Sequence, residues 1–352
     1  MKLVNFYAFL SWAHWIWFCI YARLQKIFLR TRALPPRRVI FMITNQCNCS
    51  CPMCNIVVAG AKKEYLTVQD VVNVLKQVPK GAIVTLGGGE PAVSPEFWPI
   101  LERAVKDHRT LLFTNGVIWN GSMIERLMKT PPWGMQFSVD APRADIHDGV
   151  RAHPGAFNKV CWAIEETVRV KRTKRQLQPL VGVTMVILPE TIPYLSEMVD
   201  FCIQRHVDVL LMMRYADYFS CGHGRAINPE LLRKELVKAN ALAKKGGLCL
   251  RYRTNFTMED AAKYYSHPQT WAEPMLTGSN SQFECLASWQ TLPILPNGDV
   301  TVCYHTVVGN IKTEKVEEIW NGIRMRKQRE LVLKNQLMNQ NCLNCCYLCV
   351  RS

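Results

Sequence analysis

The chain has 352 residues, 49% hydrophobic and 20% charged, with 43 Lys+Arg against 28 Asp+Glu for a formal balance of +15. Such composition is globular and such length allows two domains, so disorder, collagen and coiled coil are excluded. Fifteen cysteines, an odd and unevenly spaced set in a long chain, point to metal or redox chemistry rather than a disulfide scaffold.

Leu3 to Ala22 is a mostly apolar run carrying Phe6, Phe9, Trp12, Trp15, Trp17 and Phe18. Its length matches the ~20 residues that cross a bilayer as a helix. Arg23, Lys26, Arg30, Arg32, Arg37 and Arg38 follow with no acidic residue between them. This pattern predicts a membrane helix within residues 1–34, single-pass or lying flat, on the cytoplasmic face of the cell membrane with its basic flank toward anionic lipid. A helix packed on the protein body is the other reading. A second basic run, Arg169, Lys171, Arg172, Lys174 and Arg175, takes most of the remaining excess. Little is left for a nucleic-acid groove, and none is expected.

After Pro35-Pro36, β-branched runs alternate with helical stretches. Strands are predicted at Val39–Thr44, Ala82–Leu86, Thr110–Thr114, Met135–Val139, Val181–Leu188 and Val207–Met213. Helices are predicted near 67–78, 94–107, 120–129, 156–175 and 191–205, with Ser94-Pro95-Glu96 and Asn228-Pro229-Glu230 as start signals. Six strand–helix repeats imply an α/β fold, a parallel sheet forming a partial (β/α)6 TIM-type barrel, with function at the carboxyl ends of the strands. The expected organisation is 1–34 membrane-associating, 35–227 core, 228–281 helical connector and 282–352 a small cysteine-rich α+β domain.

Cys47, Cys51 and Cys54 form a C-x3-C-x2-C loop after the first strand. Three spaced thiolates suit zinc or an iron–sulfur cluster that keeps one iron open. Gly88-Gly89-Glu90-Pro91 follows the second strand, Thr114-Asn115-Gly116 ends the third and Ser138-Val139-Asp140 ends the fourth; His147-Asp148 through Arg151 and Gly155-Ala156-Phe157 come next. Together these residues resemble the radical S-adenosylmethionine (radical SAM) enzymes. The resemblance implies a [4Fe–4S] cluster held by Cys47, Cys51 and Cys54, with SAM bound by Met53, Gly88, Gly89, Glu90, Pro91, Asn115, Ser138 and Asp140. Glu90 would take the methionine ammonium, and Ser138 and Asp140 would face the methionine and ribose. It also implies reductive cleavage of SAM to a 5′-deoxyadenosyl radical that abstracts a substrate hydrogen, and an electron donor such as flavodoxin or ferredoxin. Two departures stand out: Met53 occupies a position often aromatic in the family, and Cys49 is an extra thiol inside the loop.

Cys285, Gly298 and Cys303 are spaced C-x12-G-x4-C, and Asn297-Gly298 predicts a tight hairpin that brings the two thiols together. Cys342, Cys345, Cys346 and Cys349 lie near residue 352. With Gly309-Asn310-Ile311 and the stretch from Val316 to Trp320-Asn321, these residues resemble the SPASM and twitch extensions of radical SAM enzymes. The resemblance implies one auxiliary [4Fe–4S] cluster on Cys285, Cys303, Cys342 and Cys345, with Cys346 or Cys349 as alternates. Structural zinc is the competing reading of the same thiols.

The loop after the sixth strand, residues 214–225, mixes aromatic and titratable side chains. Cys221 is read there as a candidate hydrogen-atom donor and His223 as a candidate base, against an ordered loop without chemistry. Three functions are compatible with the sequence. The anchor favours a membrane lipid, isoprenoid or lipid-linked sugar as substrate; the SPASM resemblance favours a peptide-modifying maturase; a membrane-bound iron–sulfur interaction protein is the non-enzymatic reading.

Overall fold

The computed structural model describes residues 20–54, 62–215, 227–252, 258–259, 261–262, 283–302, 306–334 and 348–350. Six strands form its centre: β1 (Arg38–Thr44), β2 (Ile83–Gly88), β3 (Arg109–Thr114), β4 (Gly134–Ser138), β5 (Leu180–Ile187) and β6 (Val209–Arg214). All pair in parallel with their sequence neighbours, in registers such as Phe41↔Leu86, Leu112↔Met135 and Phe137↔Val183. Each is the run of alternating or continuous apolar residues that the sequence marks out. One face of each strand is closed by helices: Val39, Phe41, Val84, Leu86, Leu112, Phe137, Val183 and Leu210 are fully buried.

The covering helices are α2 (Val68–Leu75), α3 (Phe97–Asp107), α4 (Gly121–Leu127), α5 (Ala144–Arg151), α6 (Ala156–Thr173), α7 (Leu195–Gln204) and α8 (Pro229–Gly246). Thr67 and Asp70 close a capping box on α2, and Asn120 and Asn228 cap α4 and α8 through their side chains. Asn228 and Pro229 start α8 as the sequence predicts. Ser94 does not cap α3: it ends a 3-10 turn, Pro91–Val93, and the N-cap is Glu96. Glu96 instead reaches across to accept from Val68 N at 2.9 Å and fasten α2.

The sheet is not a closed barrel. Its order is β11-β10-β9-β1-β2-β3-β4-β5-β6-β7, with β7 (Cys249–Arg251) parallel to β6 at one end. At the other end β9 (Thr291–Ile294) pairs parallel with β1, then β10 (Asp299–Val302) and β11 (Thr306–Asn310) continue antiparallel. The C-terminal segment therefore extends the main sheet. The Asn297-Gly298 hairpin forms between β9 and β10, with Gly298 at φ 93°. Cys285 is not on it. It ends β8 (Phe283–Cys285), which pairs with β12 (Leu348–Val350), and the turn Ala287–Trp289 separates β8 from β9.

The N-terminal reading is corrected here. Among the described residues no helix is long and apolar enough to cross a membrane. The run Leu3–Ala22 lies mostly outside the described residues, but its supposed basic flank is docked on the protein body. Helix α1, described over residues 20–28, buries Ala22 and Gln25. Trp289 Nε1 donates to Arg30 O (2.9 Å), Trp320 Nε1 to Leu34 O (2.7 Å) and Arg329 Nη1 to Thr31 O (3.0 Å). Asn321 accepts from Ala33 N at 3.0 Å and donates to Ala33 O at 2.9 Å. Ile20, Leu24, Ile27 and Phe28 stay exposed on the other face of α1. Thus α9 (Val316–Trp320) and α10 (Ile323–Leu333) clasp the segment that feeds β1. Asn321→Ala, which leaves both backbone groups of Ala33 unpaired, is expected to cost about 2 kcal/mol, measurable as a shift in denaturant midpoint.

Of the second basic run, Arg169, Lys171 and Arg172 lie on α6 and Lys174 and Arg175 just past its end, and three of the five are in ion pairs. Arg169 meets Glu166 at 2.6 Å, Lys171 meets Asp208 at 2.9 Å and Lys174 meets Glu125 at 2.5 Å.

Candidate active site

At the carboxyl end of β1 the register with β2 shifts between Met42 and Thr44, and the chain leaves the sheet as the cysteine loop. Thr44 and Asn45 tie the loop's two ends together. Asn45 Nδ2 donates to Lys62 O (2.7 Å), Glu64 N donates to Asn45 Oδ1 (2.9 Å), and Thr44 Oγ1 donates to Glu64 O (2.9 Å). Cys47, Cys51, Cys54 and Met53 are half-buried in that loop, with Cys54 N donating to Cys51 O at 3.0 Å. Among the described residues no three His, Cys, Asp or Glu side chains converge as they do on a single metal ion.

The loop at the end of β2 packs directly on the cysteine loop. Gly89 N donates to Thr44 O at 2.7 Å and Glu90 N to Gln46 O at 2.8 Å. A Cβ on Gly89 would lie 2.0 Å from Gln46 O, and one on Gly88, at φ +126°, would lie 2.5 Å from Thr44 O. The two glycines thus serve a close approach of backbone to backbone, not only of backbone to ligand. Pro91, buried, opens the 3-10 turn that follows.

Glu90 is 1% exposed. Its Oε1 accepts from Thr114 Oγ1 (2.7 Å) and Ala92 N (3.3 Å), and Oε2 accepts from Asn115 N (2.7 Å). Burial outweighs these donors and raises its pKa to about 7. No cation stands among these partners, and an ammonium would supply the missing charge. A carboxylate buried in this way, near the Cys47 thiol, fits the cofactor pair that the sequence resemblance implies.

Asn115 joins the groups. Its Nδ2 donates to Asn48 Oδ1 (2.8 Å) and approaches Cys47 Sγ at 3.6 Å. Cys47 Sγ also accepts from Cys49 N at 3.4 Å. The Cys49 thiol, these donors and nearby Arg151 hold the Cys47 pKa down to about 6, against the opposing effect of burial. A thiol so placed ionises readily and is a ready metal ligand. Burial pushes the Cys51 thiol up.

Asp140, fully buried, does not lie open toward a ligand. Its Oδ1 accepts from Val186 N (3.0 Å), and Oδ2 pairs with Arg151 Nε at 2.7 Å. Arg151 Nη1 in turn lies 4.0 Å from Cys51 Sγ. Ser138, two residues before Asp140 at the end of β4, is half-buried. Arg151 is the site residue that sequence spacing undervalues. His147 and Arg151, four residues apart on α5, both turn to Asp140, and His147 Nδ1 accepts from Asp140 N at 3.2 Å. Spacing of i, i+4 on a helix was the available signal.

His147 is buried, and desolvation lowers its pKa to about 4. The unfolded chain therefore binds the proton first as pH falls, and stability drops between about pH 6.5 and 4, by about 3 kcal/mol at the lower end. His147→Asn, which keeps an acceptor for Asp140 N, is expected to flatten that part of the pH–stability curve relative to wild type.

Of the proposed auxiliary ligands, Cys285 is buried. Cys303, Cys342, Cys345 and Cys346 lie outside the described residues, as do Cys221 and His223. The register places Cys349 opposite Glu284, whereas Leu348 is opposite Cys285.

Comparison with known proteins agrees with this geometry. The profile of the Radical SAM superfamily matches residues 41–202, and that of SPASM, an iron–sulfur cluster-binding domain, matches residues 285–346. Mycofactocin maturase MftC of Mycobacterium ulcerans is 29% identical over 126 residues, covering 35% of this chain and 34% of that protein. The chain thus matches about a third of that relative's length. Pre-heme d1 synthase of Dinoroseobacter shibae is 24% identical over 320 residues, covering 83% of this chain and 74% of that protein. Streptococcus suis SuiB, solved with its precursor peptide SuiA, shares the fold at a TM-score of 0.67 and 15% identity, over 91% of this chain and 72% of SuiB.

Proposed function

We propose that this chain, which carries a radical SAM domain and a SPASM domain and is an enzyme, modifies a peptide by hydrogen abstraction. The cofactors of this domain pair are a [4Fe–4S] cluster with SAM and an auxiliary iron–sulfur cluster. Bound at the site, the first pair supplies a carbon-centred radical that removes a hydrogen atom from the substrate.

The observation that carries the reading is the meeting, at the ends of β1 to β4, of the cysteine loop with the buried Glu90, linked through Asn115 to Cys47, and with the Asp140–Arg151 pair, 4.0 Å from Cys51. In this reading Cys47, Cys51 and Cys54 hold the cluster and Glu90 takes the methionine ammonium. Asp140 holds Arg151 beside Cys51, where the guanidinium offsets thiolate charge. The sheet face away from the helices presents half-buried Leu111, Phe113, Gln136, Ser138, Val186, Leu211 and Met213, alternating with their fully buried neighbours. This mostly apolar wall keeps water and other hydrogen donors from the reacting carbon, and the open sheet leaves room for a chain to enter.

A maturase among the relatives and a similarly folded chain solved with its precursor peptide support the peptide class. The lipid reading rested on an N-terminal anchor, and the docking of residues 20–34 removes that support. A tetrapyrrole is the second reading, favoured by the 83% of this chain that matches pre-heme d1 synthase.

Anaerobic reconstitution tests the enzyme class: about eight irons per chain with release of 5′-deoxyadenosine is expected, and about four irons would remove the auxiliary cluster. Substrate class is tested on the same protein by adding a peptide pool or a set of porphyrins. Peptides are expected to accelerate 5′-deoxyadenosine release. Acceleration by a porphyrin and not by peptides would overturn the peptide reading.

A further inference from the structure

We infer that Gln136 is a specificity-determining residue: on the inner wall of the sheet, its side-chain NH2 donates to a backbone carbonyl of the peptide substrate. The inference rests on the peptide reading above and adds to it a residue and the bond it makes.

Gln136 lies in the middle of β4, half-buried, on the same face as Ser138. Two residues along a strand span about 7 Å, so Gln136 sits that much deeper in the sheet than the residue expected to face SAM. Its partners in register are Phe113 on β3 and Gly182 on β5. A Cβ on Gly182 would lie 2.2 Å from Gln136 Nε2 and 2.3 Å from Oε1. The carboxamide therefore rests in the space that any other residue at 182 would fill with its own side chain. Thr184, buried two residues further along β5, donates from Oγ1 to Gln136 Oε1 at 3.2 Å. The acceptor end of the amide is thus held, while Nε2 has no partner among the described residues.

An amide on a wall that also carries Phe113, Val186, Leu211 and Met213 is costly wherever its donor stays unmade. A leucine would cover the same wall without that cost. A donor held at one end and open at the other suits a ligand that brings an acceptor, and a peptide brings one carbonyl per residue. Made against apolar neighbours, such a bond is shielded from competing water. It fixes how far the chain advances into the sheet, and so which of its hydrogens stands at the reacting carbon. Few polar groups placed in an apolar site are what give it orientation and selectivity.

The test uses the full chain, reconstituted anaerobically, with the peptide pool titrated against release of 5′-deoxyadenosine. Q136L removes the amide. Q136E keeps the acceptor for Thr184 and loses the donor, and G182A leaves Gln136 in place but pushes its carboxamide aside. Each is expected to raise the pool concentration for half-maximal acceleration by roughly 10-fold, the worth of one shielded hydrogen bond. Half-saturation at the wild-type concentration in Q136L and Q136E, with a lowered unfolding temperature, overturns the inference, since Gln136 then only pins β4 to β5. Should both variants fail to fold, G182A decides alone: wild-type half-saturation in it overturns the inference. Wild-type protein that no peptide accelerates is a different result, which overturns the peptide reading first and this inference with it.

Discussion

Replacing Arg151 with alanine is expected to cost about 3–5 kcal/mol of stability and to abolish SAM cleavage, because it strands a buried carboxylate. Asp140 is 0% exposed and pairs with Arg151 Nε at 2.7 Å. Its other oxygen is committed to Val186 N, so the carboxylate also stitches β4 to β5 at the mouth of the site. Without the guanidinium, the charge keeps only backbone partners in a setting that water does not reach. The double variant Asp140→Asn, Arg151→Met separates the two roles. It removes both charges and fills similar volume, so most of the lost stability returns, as read from the denaturant midpoint. Cleavage does not return, because nothing then offsets charge beside Cys51. Full stability with full cleavage in Arg151→Ala alone would show that the pair serves neither purpose.

The six-strand centre was legible in the sequence because buried parallel strands write themselves as β-branched runs. The predicted strand Val39–Thr44 and the observed β1, Arg38–Thr44, differ by one residue, and the other five differ by one or two at either end. Helix α5 was not legible. Its eight residues, Ala144–Arg151, carry Asp, His, Asp and Gly, and bury only His147 and Val150. What makes it a helix is tertiary: His147 and Arg151 reach Asp140 from successive turns. The union of β9 with β1 was equally hidden, since a short strand such as Thr-Leu-Pro-Ile does not announce a partner some 250 positions earlier.

The N-terminal misreading has a related cause. Apolar residues followed by arginines are a membrane signal only if the following backbone is free. Here Trp289, Trp320, Asn321 and Arg329 capture the carbonyls of residues 30–34, and nothing local to residues 20–38 encodes that. The Val316-to-Asn321 stretch, read as a mark of an extension, contributes Trp320 and Asn321 to this clasp. Within the site the residue types were legible and their couplings were not. Glycines 88 and 89 read as ligand-facing, and the structure also uses them to seat one loop on another.

Glu90→Gln is expected to weaken SAM binding by roughly 10- to 100-fold while leaving the cysteine loop able to take up iron. The substitution keeps shape and burial, and it removes the charge that an ammonium pairs with. It also places an amide where Oε1 and Oε2 both accept, from Thr114 and Asn115, so a modest loss of stability accompanies it. The pH dependence distinguishes charge from shape. Burial raises Glu90 to about 7 in the free protein, above its ordinary carboxylate value, so folding takes up a proton there and this group's contribution to stability declines as pH rises toward 7. A cation that binds must draw that proton off. SAM affinity of the wild type should therefore fall as pH is lowered below about 7, and affinity of Glu90→Gln should stay flat over the same range. Equilibrium dialysis of the reconstituted protein under anaerobic conditions measures both. Parallel pH profiles in the two proteins would show that the buried carboxylate holds loops together and does not receive the ammonium.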